Sequence, residues 1–215
     1  MSDSFQTVRE KMVREQLVAR GISDPATLAA MSEVPRHLFV DQAQQGRAYG
    51  DHPLPISSQQ TISQPYIVAI MTQALALTGS ERVLEVGTGS GYQAAILSRL
   101  CGQVYTVERI NVLLTGARKT FDQLRYYNIL SRLDDGTMGW PDQSPFDGII
   151  VTAGGPEVPQ PLIDQLAEGG RMVIPVGSQG AQDLLLVTKT EDNIETRTIE
   201  RVRFVDLIGQ HGWND

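Results

Sequence analysis

Three acids and a glycine turn are spaced along this chain in a way that suits one kind of ligand. Glu85-Val86-Gly87-Thr88-Gly89-Ser90-Gly91-Tyr92 carries an apolar run into glycines, Glu108 follows, and Asp134-Asp135-Gly136 and Thr152-Ala153 close two later apolar runs. Glycines so placed let the backbone turn tightly and let a ligand approach the main chain. An acid about twenty residues beyond such a turn is placed to accept two ribose hydroxyls. That much fits a nicotinamide dinucleotide or S-adenosylmethionine. The dinucleotide fingerprint is G-x-G-x-x-G, whereas Gly87, Gly89 and Gly91 follow each other at every second position. Glu85, two residues before the first glycine, suits a ligand bearing sulfonium and ammonium cations and would face a pyrophosphate badly. Its structural alternative is a salt-bridged acid, strained inside so apolar a strand. The pattern favours S-adenosylmethionine.

The elements that must position these residues read as an α/β chain. Strands are expected at Val83–Val86, Gln103–Glu108, Ile129–Leu133, Phe146–Val151 and Arg171–Val176, with an antiparallel hairpin over 183–190 and 194–202 around Glu191-Asp192-Asn193. Helices are expected over 93–100, over 111–126 and, closed by Gly169-Gly170, over 161–166. Upstream, residues 1–20 have a helical pattern stopped by Gly21. Asp24-Pro25 then starts a second helix, with Asp24 as N-cap and Leu28, Ala29, Met31 and Val34 as its buried side. Arg36 and His37 read as a solvated edge. Residues 57–64 are rich in hydroxyls and amides, as in a surface loop or a binding loop. Ser63 or Gln64 can cap the helix that runs to about Leu77, with Pro65 in its first turn.

The 215 residues, 41% hydrophobic and 20% charged, have an ordinary globular composition. The net charge of -7, without a Lys/Arg cluster, argues against a nucleic-acid face. One cysteine, Cys101, excludes an internal disulfide and a cysteine-rich zinc site, and reads as a small buried residue. Met-Ser-Asp-Ser-Phe is without the charged n-region and apolar h-region expected of a secretory leader, and no apolar run reaches the ~20 residues of a membrane span. A cytoplasmic protein, probed by neither membrane nor nucleic acid, is the expectation.

The chain resembles the protein-L-isoaspartate (D-aspartate) O-methyltransferase family over almost its whole length. The resemblance is carried by VPRHLFV (34–40), PLPI (53–56), QTISQPYIVA (60–69), RVLEVGTGSGYQAA (82–95), VERI (107–110), FDGIIVTA (146–153), LAEGGRMVIPVG (166–177) and RFV (203–205). It implies a Rossmann-like class I methyltransferase three-layer sandwich: a mostly parallel sheet, a C-terminal antiparallel hairpin and an N-terminal helical extension. Residues 1–78 would form the helical segment with the substrate loop and 79–215 the cofactor-binding core, in one compact domain. S-adenosylmethionine would be held by Glu85, Gly87, Gly89 and Gly91, by Glu108 at the ribose, and by Asp135 and Gly136 at the adenine. Thr88, Tyr92 and Thr152, in the same stretches, complete the expected cofactor set. Ser63 corresponds to the catalytic serine, which orients a carboxylate. Leu54, Pro55, Ile56, Thr61 and Ile62, with Val202, Arg203, Phe204 and Val205, correspond to the peptide site. The implied activity is methyl transfer to the free carboxylate of L-isoaspartyl and D-aspartyl residues in damaged proteins and peptides, by a monomer without a metal. The family pattern G-x-G-Q-T-I-S has Ser57 and Gln59 here in place of its glycines, and R-F-V-P-L has Asp206 in place of its proline. A methyltransferase of this fold acting on another carboxylate or small molecule, and a cofactor-binding module without turnover, are the alternative readings.

Overall fold

A computed structural model describes residues 5–191 and 193–214. Its strands, in chain order, are β1 (Leu54–Pro55), β2 (Thr61–Ile62), β3 (Arg82–Val86), β4 (Gln103–Glu108), β5 (Ile129–Leu133), β6 (Phe146–Val151), β7 (Leu166–Ser178), β8 (Ala181–Thr190) and β9 (Asn193–Val202). The α-helices are α1 (Gln6–Met12), α2 (Pro25–Glu33), α3 (Pro65–Leu75), α4 (Tyr92–Leu97), α5 (Asn111–Leu124) and α6 (Gln160–Asp164).

Strands β3 to β9 form one seven-stranded sheet in the order β5-β4-β3-β6-β7-β8-β9, and β1 and β2 form a separate hairpin. The pairs from β5 through β7 are parallel; β8 and β9 return antiparallel. Helices cover both faces of the parallel part, so β3 must be apolar on both sides, and Val83, Leu84 and Val86 are buried. The chain leaves β3 towards β4 and β5, then comes back to lay β6 on the other side of β3. Such a reversal opens a crevice at the carboxyl ends of the two strands.

Helix α5 turns Leu113, Leu114, Ala117 and Phe121 inward, the periodic face of a helix lying on a sheet. Every residue of α4 is buried, because the sheet lies on one side and α2 packs on the other. The N-terminal helices share one apolar core with the sheet: Met12, Leu17, Met31 and Val34 join Val83, Val104 and Ile150. Cys101 is in this core, as expected of a small buried residue, and burial pushes its thiol up to about 12. Among the described residues no helix is long and apolar enough to cross a membrane.

Local chemistry explains both the agreements and the differences. Gly21 ends the first helical stretch in the left-handed region (φ 89°), and the Asp24 carboxylate accepts the Thr27 amide at 2.8 Å as the N-cap of α2. The buried face of α2 is Thr27, Ala30 and Met31, followed by Val34, with Ala29 exposed and Leu28 half-buried. Thr27 tolerates burial because its hydroxyl is bound to Asp24. Arg36 and His37 are not a solvated edge: both are buried, His37 with Nδ1 2.8 Å from the Tyr49 hydroxyl and its ring stacked on Phe5. Helix α4 stops at Leu97, short of the expected residue 100. Helix α6 ends at Asp164, and Gly169-Gly170 lie inside β7, which begins at Leu166 because Leu166 pairs with Phe146 across a bulge. Asp192 of the expected hairpin turn, and residues 1–4 of the expected first helix, lie outside the described residues.

Candidate active site

The carboxyl ends of β3, β4 and β6 open into a cavity of about 310 Å³. One wall is the glycine turn after β3, with Gly87, Thr88 and Gly89. Glu108 and Arg109 after β4, Gly136 after β5, and Thr152 and Ala153 after β6 continue it. The lining is completed by Gln60 to Ser63 and by Val205 to Ile208, far apart in the chain.

The glycines of the turn have different reasons to be there. A Cβ on Gly87 (φ 95°) would stand 2.4 Å from Thr152 Oγ1, which donates to the Gly87 carbonyl at 2.6 Å. A Cβ on Gly91 (φ 88°) would stand 2.6 Å from the Phe121 ring of α5. These two are demanded by strand-to-strand and helix-to-helix packing, and Gly91 does not line the cavity. Gly89 does, and close approach by a ligand is possible there because the nearest atom to a Cβ would be Ile56 Cδ1 at 3.8 Å.

Glu108 is buried at the cavity edge. Its Oε2 accepts the Gly89 amide and its Oε1 the Ile110 amide, both at 2.9 Å. A carboxylate has about four lone-pair sites, so the two oxygens retain capacity for ligand hydroxyls while the backbone fixes their direction.

Glu85 occupies a different position from the one its spacing implied. It is fully buried behind the turn and does not line the cavity. Nor is it salt-bridged: Thr106 Oγ1 donates to its Oε2 at 2.5 Å, and Oε1 is buried without a hydrogen-bond partner among the described residues. Burial pushes its carboxyl up to about 8 against the pull of the Thr106 hydroxyl, and the negative charge of Glu108 adds to the rise. Thr106 in turn lies 2.6 Å from the hydroxyl of Thr88, which does reach the cavity. Glu85 therefore communicates with the cavity through two hydroxyls.

Asp135 is also turned away from the cavity wall. Its Oδ1 accepts the Thr137 amide and hydroxyl, and its Oδ2 accepts the Gln210 amide at 2.7 Å. These bonds outweigh burial and hold the carboxyl below its usual range. Its work is to cap the turn that presents Gly136 and to tie down the C-terminal segment. Asp134 is paired with Arg132.

The β1–β2 hairpin carries the chain to Ser63. Leu54 is wholly buried opposite Ile62 and anchors the hairpin, Pro55 is exposed, and Ile56 lines a smaller groove of about 180 Å³ beside Gly89 and Ser90. Thr61, Ile62 and Ser63 line the main cavity, as does Val205; Val202, Arg203 and Phe204 do not. The hairpin tip places Ser58 and Gln59 at φ 58° each, a left-handed conformation that side chains disfavour. Ser57 is not strained in this way. Ser63 does not cap α3: Gln64 is the N-cap residue, without a side-chain bond, and Pro65 opens the helix. The Ser63 hydroxyl is half-buried on the cavity wall with no hydrogen-bond partner among the described residues.

Tyr92 lines the cavity from the start of α4, its hydroxyl directed to Met31 Sδ at 3.7 Å. Residues not foreseen as part of the wall include Gln93, Arg109, Ile110, Leu113 and Asp206 to Ile208. Ile110 and Leu113 carried a usable signal, since they follow the acid that ends β4. The 206–208 segment, touched in the sequence only by the R-F-V-P-L likeness, is brought there by the docking of the C-terminal chain on Gly154: Leu207 N donates to the Gly154 carbonyl at 2.9 Å and Trp213 Nε1 at 3.0 Å.

Comparison with known proteins agrees with this geometry. A family model described as protein-L-isoaspartate(D-aspartate) O-methyltransferase matches residues 7–212. A protein-L-isoaspartate O-methyltransferase of Desulfotalea psychrophila is 63% identical, over 99% of this chain and all (100%) of the relative. One of Desulfosudis oleivorans is 58% identical, over 96% of this chain and 94% of the relative. Among solved structures, a protein-L-isoaspartate O-methyltransferase superposes with a TM-score of 0.87 at 32% identity, covering 95% of this chain and 67% of the other. A Plasmodium falciparum protein assigned as a protein-L-isoaspartate O-methyltransferase, solved in complex with S-adenosyl-L-homocysteine, gives 0.81 at 26% identity, covering 93% and 98%.

Proposed function

The chain belongs to the protein-L-isoaspartate(D-aspartate) O-methyltransferase family, and from that premise we propose how its own residues perform the family's reaction. The protein transfers a methyl group from S-adenosylmethionine to the free carboxylate of L-isoaspartyl and D-aspartyl residues in damaged proteins and peptides. The observation that carries the reading is that one cavity is lined both by Ser63 and by the glycine turn with Glu108.

The cavity fits the cofactor. Gly89 leaves its cavity side open, and Glu108 presents a carboxylate pre-oriented by two amides. When bound, S-adenosylmethionine supplies an electrophilic methyl group on a sulfonium. Glu108 would accept the ribose hydroxyls, Gly136 and Ile110 would flank the base, and Thr88 and Thr152 would hold the turn in shape. Glu85 acts through Thr106 and Thr88, and Gly91 and Asp135 act as supports, not as contacts.

The accepting carboxylate has a pKa of about 4 and is ionised at pH 7, so no general base is required. The unpartnered Ser63 hydroxyl donates to one carboxylate oxygen and aims the other at the methyl carbon. Holding nucleophile and methyl in line is worth up to roughly 7–11 kcal/mol. Ile62, Val205 and Leu207 exclude water around the nucleophile, which removes a competitor and strengthens the orienting bond. Esterification makes methoxide the leaving group, so the backbone nitrogen of the following residue closes on the ester carbonyl with loss of methanol, and water reopens the resulting succinimide in part to normal aspartate. The same proposal includes a monomer in the cytoplasm, without nucleic-acid or membrane partners, and the division into 1–78 and 79–215.

Ser63→Ala tests the role of the serine. Losing a hydrogen bond to a charged group costs about 1.5–3 kcal/mol, so turnover on an isoaspartyl peptide should fall roughly ten- to a hundredfold with cofactor affinity unchanged. The normal aspartyl isomer is the control peptide. Equal labelling of the two isomers by wild-type protein would overturn the substrate assignment.

A further inference from the structure

Arg36 is among the largest side chains to be fully buried, at 0% exposure. Its Nε donates to the Ala48 carbonyl and its Nη2 to the Ser63 carbonyl, each at 2.7 Å. Its guanidinium carbon lies 4.8 Å from the centre of the Tyr92 ring. Burial lowers the guanidinium to about 10, with the nearby Tyr92 and Tyr49 partly offsetting the fall, so it is a cation at pH 7. Among the described residues no carboxylate forms an ion pair with it, and Nη1 has no partner.

A buried cation without a counter-charge is costly, and an apolar side chain would fill the same space more cheaply. What the guanidinium does instead is join three segments: the end of the N-terminal helical region at Ala48, the substrate loop at Ser63, and the start of α4 at Tyr92. Two of those three residues stand on the cavity wall. Arg36 itself does not reach the cavity, so it touches neither substrate nor cofactor.

We infer that Arg36 is a positioning residue for methyl transfer: it grips the Ser63 carbonyl from behind the wall and so fixes where the Ser63 hydroxyl points. The inference rests on the role given to Ser63 above. The planar fork of arginine suits this work, because two of its donors meet two carbonyls from different segments at once. Lysine offers one nitrogen and keeps the charge, but it cannot hold both carbonyls in the same geometry. A hydroxyl displaced by about 1 Å can cost about a hundredfold in rate.

The experiment uses the full chain with an isoaspartyl peptide and S-adenosylmethionine. Wild-type turnover on that peptide, absent on the aspartyl isomer, checks the underlying reading separately. Arg36→Lys should then lose at least about tenfold in kcat, with cofactor affinity held within about twofold. In a Ser63→Ala background the same substitution should cost less than about twofold more, because the hydroxyl it positions is gone. A purely structural arginine would cost as much in either background, and that result overturns the inference, as does a folded Arg36→Lys protein with wild-type kcat. Should Arg36→Lys fail to fold, replacing the Ser63–Gln64 amide by an ester weakens the carbonyl acceptor and leaves every side chain in place. Unchanged kcat in the ester protein overturns the inference; a loss of about tenfold with cofactor affinity intact supports it.

Discussion

The carboxylate of Glu108 accepts the amide proton of Gly89 at 2.9 Å, tying the end of β4 to the tip of the glycine turn on β3. The acid that would receive the ribose thus also shapes the loop beside it. Its other oxygen takes the Ile110 amide, so a glutamine at this position must turn its NH₂ group against one of two amides. Glu108→Gln should weaken S-adenosylmethionine binding by about tenfold or more, the equivalent of one charge-assisted bond. Titration calorimetry reads this directly, and an unaltered affinity would remove Glu108 from the cofactor site.

Glu85 predicts a pH dependence of stability. Its folded carboxyl is raised to about 8 by burial, while in the unfolded chain it titrates near about 4. Between those values the folded protein holds a proton that the unfolded chain has lost. Stability from this group is therefore complete at low pH and falls as pH rises, by up to ~1.4 kcal/mol per pH unit, until about pH 8. Glu85→Gln should flatten that part of the curve. Urea unfolding of both proteins from pH 5 to 8 checks it, and parallel curves would contradict the buried titration.

The hairpin tip should be improvable where its backbone is left-handed, as at Gln59, and not at Ser57. Gln59 is left-handed at φ 58° and Ser57 is not. A left-handed non-glycine residue costs roughly 1–2 kcal/mol, partly offset by the entropy that glycine loses on folding. Gln59→Gly should raise stability by about 0.5–1 kcal/mol and Ser57→Gly should not. Thermal unfolding distinguishes them; equal gains would mean that the tip is relieved by flexibility alone.

Gly91→Ala should damage the protein from outside the cavity. The added methyl meets the Phe121 ring at 2.6 Å while the backbone stays at φ 88°. Strain and overpacking together amount to about 2–4 kcal/mol. Cofactor affinity should fall with stability, and trimming the obstacle by Phe121→Leu should recover part of both.

Much of this architecture was legible where an apolar run was bounded by turn residues. β4, β5 and β6 start and stop where their sequences change character, at Gln103–Glu108, Ile129–Leu133 and Phe146–Val151. What escaped was whatever depended on a distant partner. Arg36 read as solvated because the two carbonyls that accept it belong to residues 48 and 63. The strand β7 was expected to begin five residues too late, because Leu166 is a strand residue only by virtue of Phe146. At the site, residue types and order identified the ligand class, but not direction. Glu85 and Asp135 are acids in the right places whose carboxylates are committed to Thr106 and to Gln210. Ser63 was identified by resemblance; that it lines the cavity with its hydroxyl unpartnered among the described residues is visible only in three dimensions.

The order in which the cavity walls occur along the chain has a consequence for newly made protein. Synthesis proceeds from the N-terminus, and the glycine turn, Glu108 and Ser63 all emerge before residues 205–208. Those last residues lie beyond β8 and β9 in the chain and are held at the wall by the bond from Leu207 to Gly154. Strands β3 to β7 alone leave the cavity without the lining that residues 205–208 supply. Completing the cavity wall therefore depends on a segment that follows every strand of the sheet along the chain.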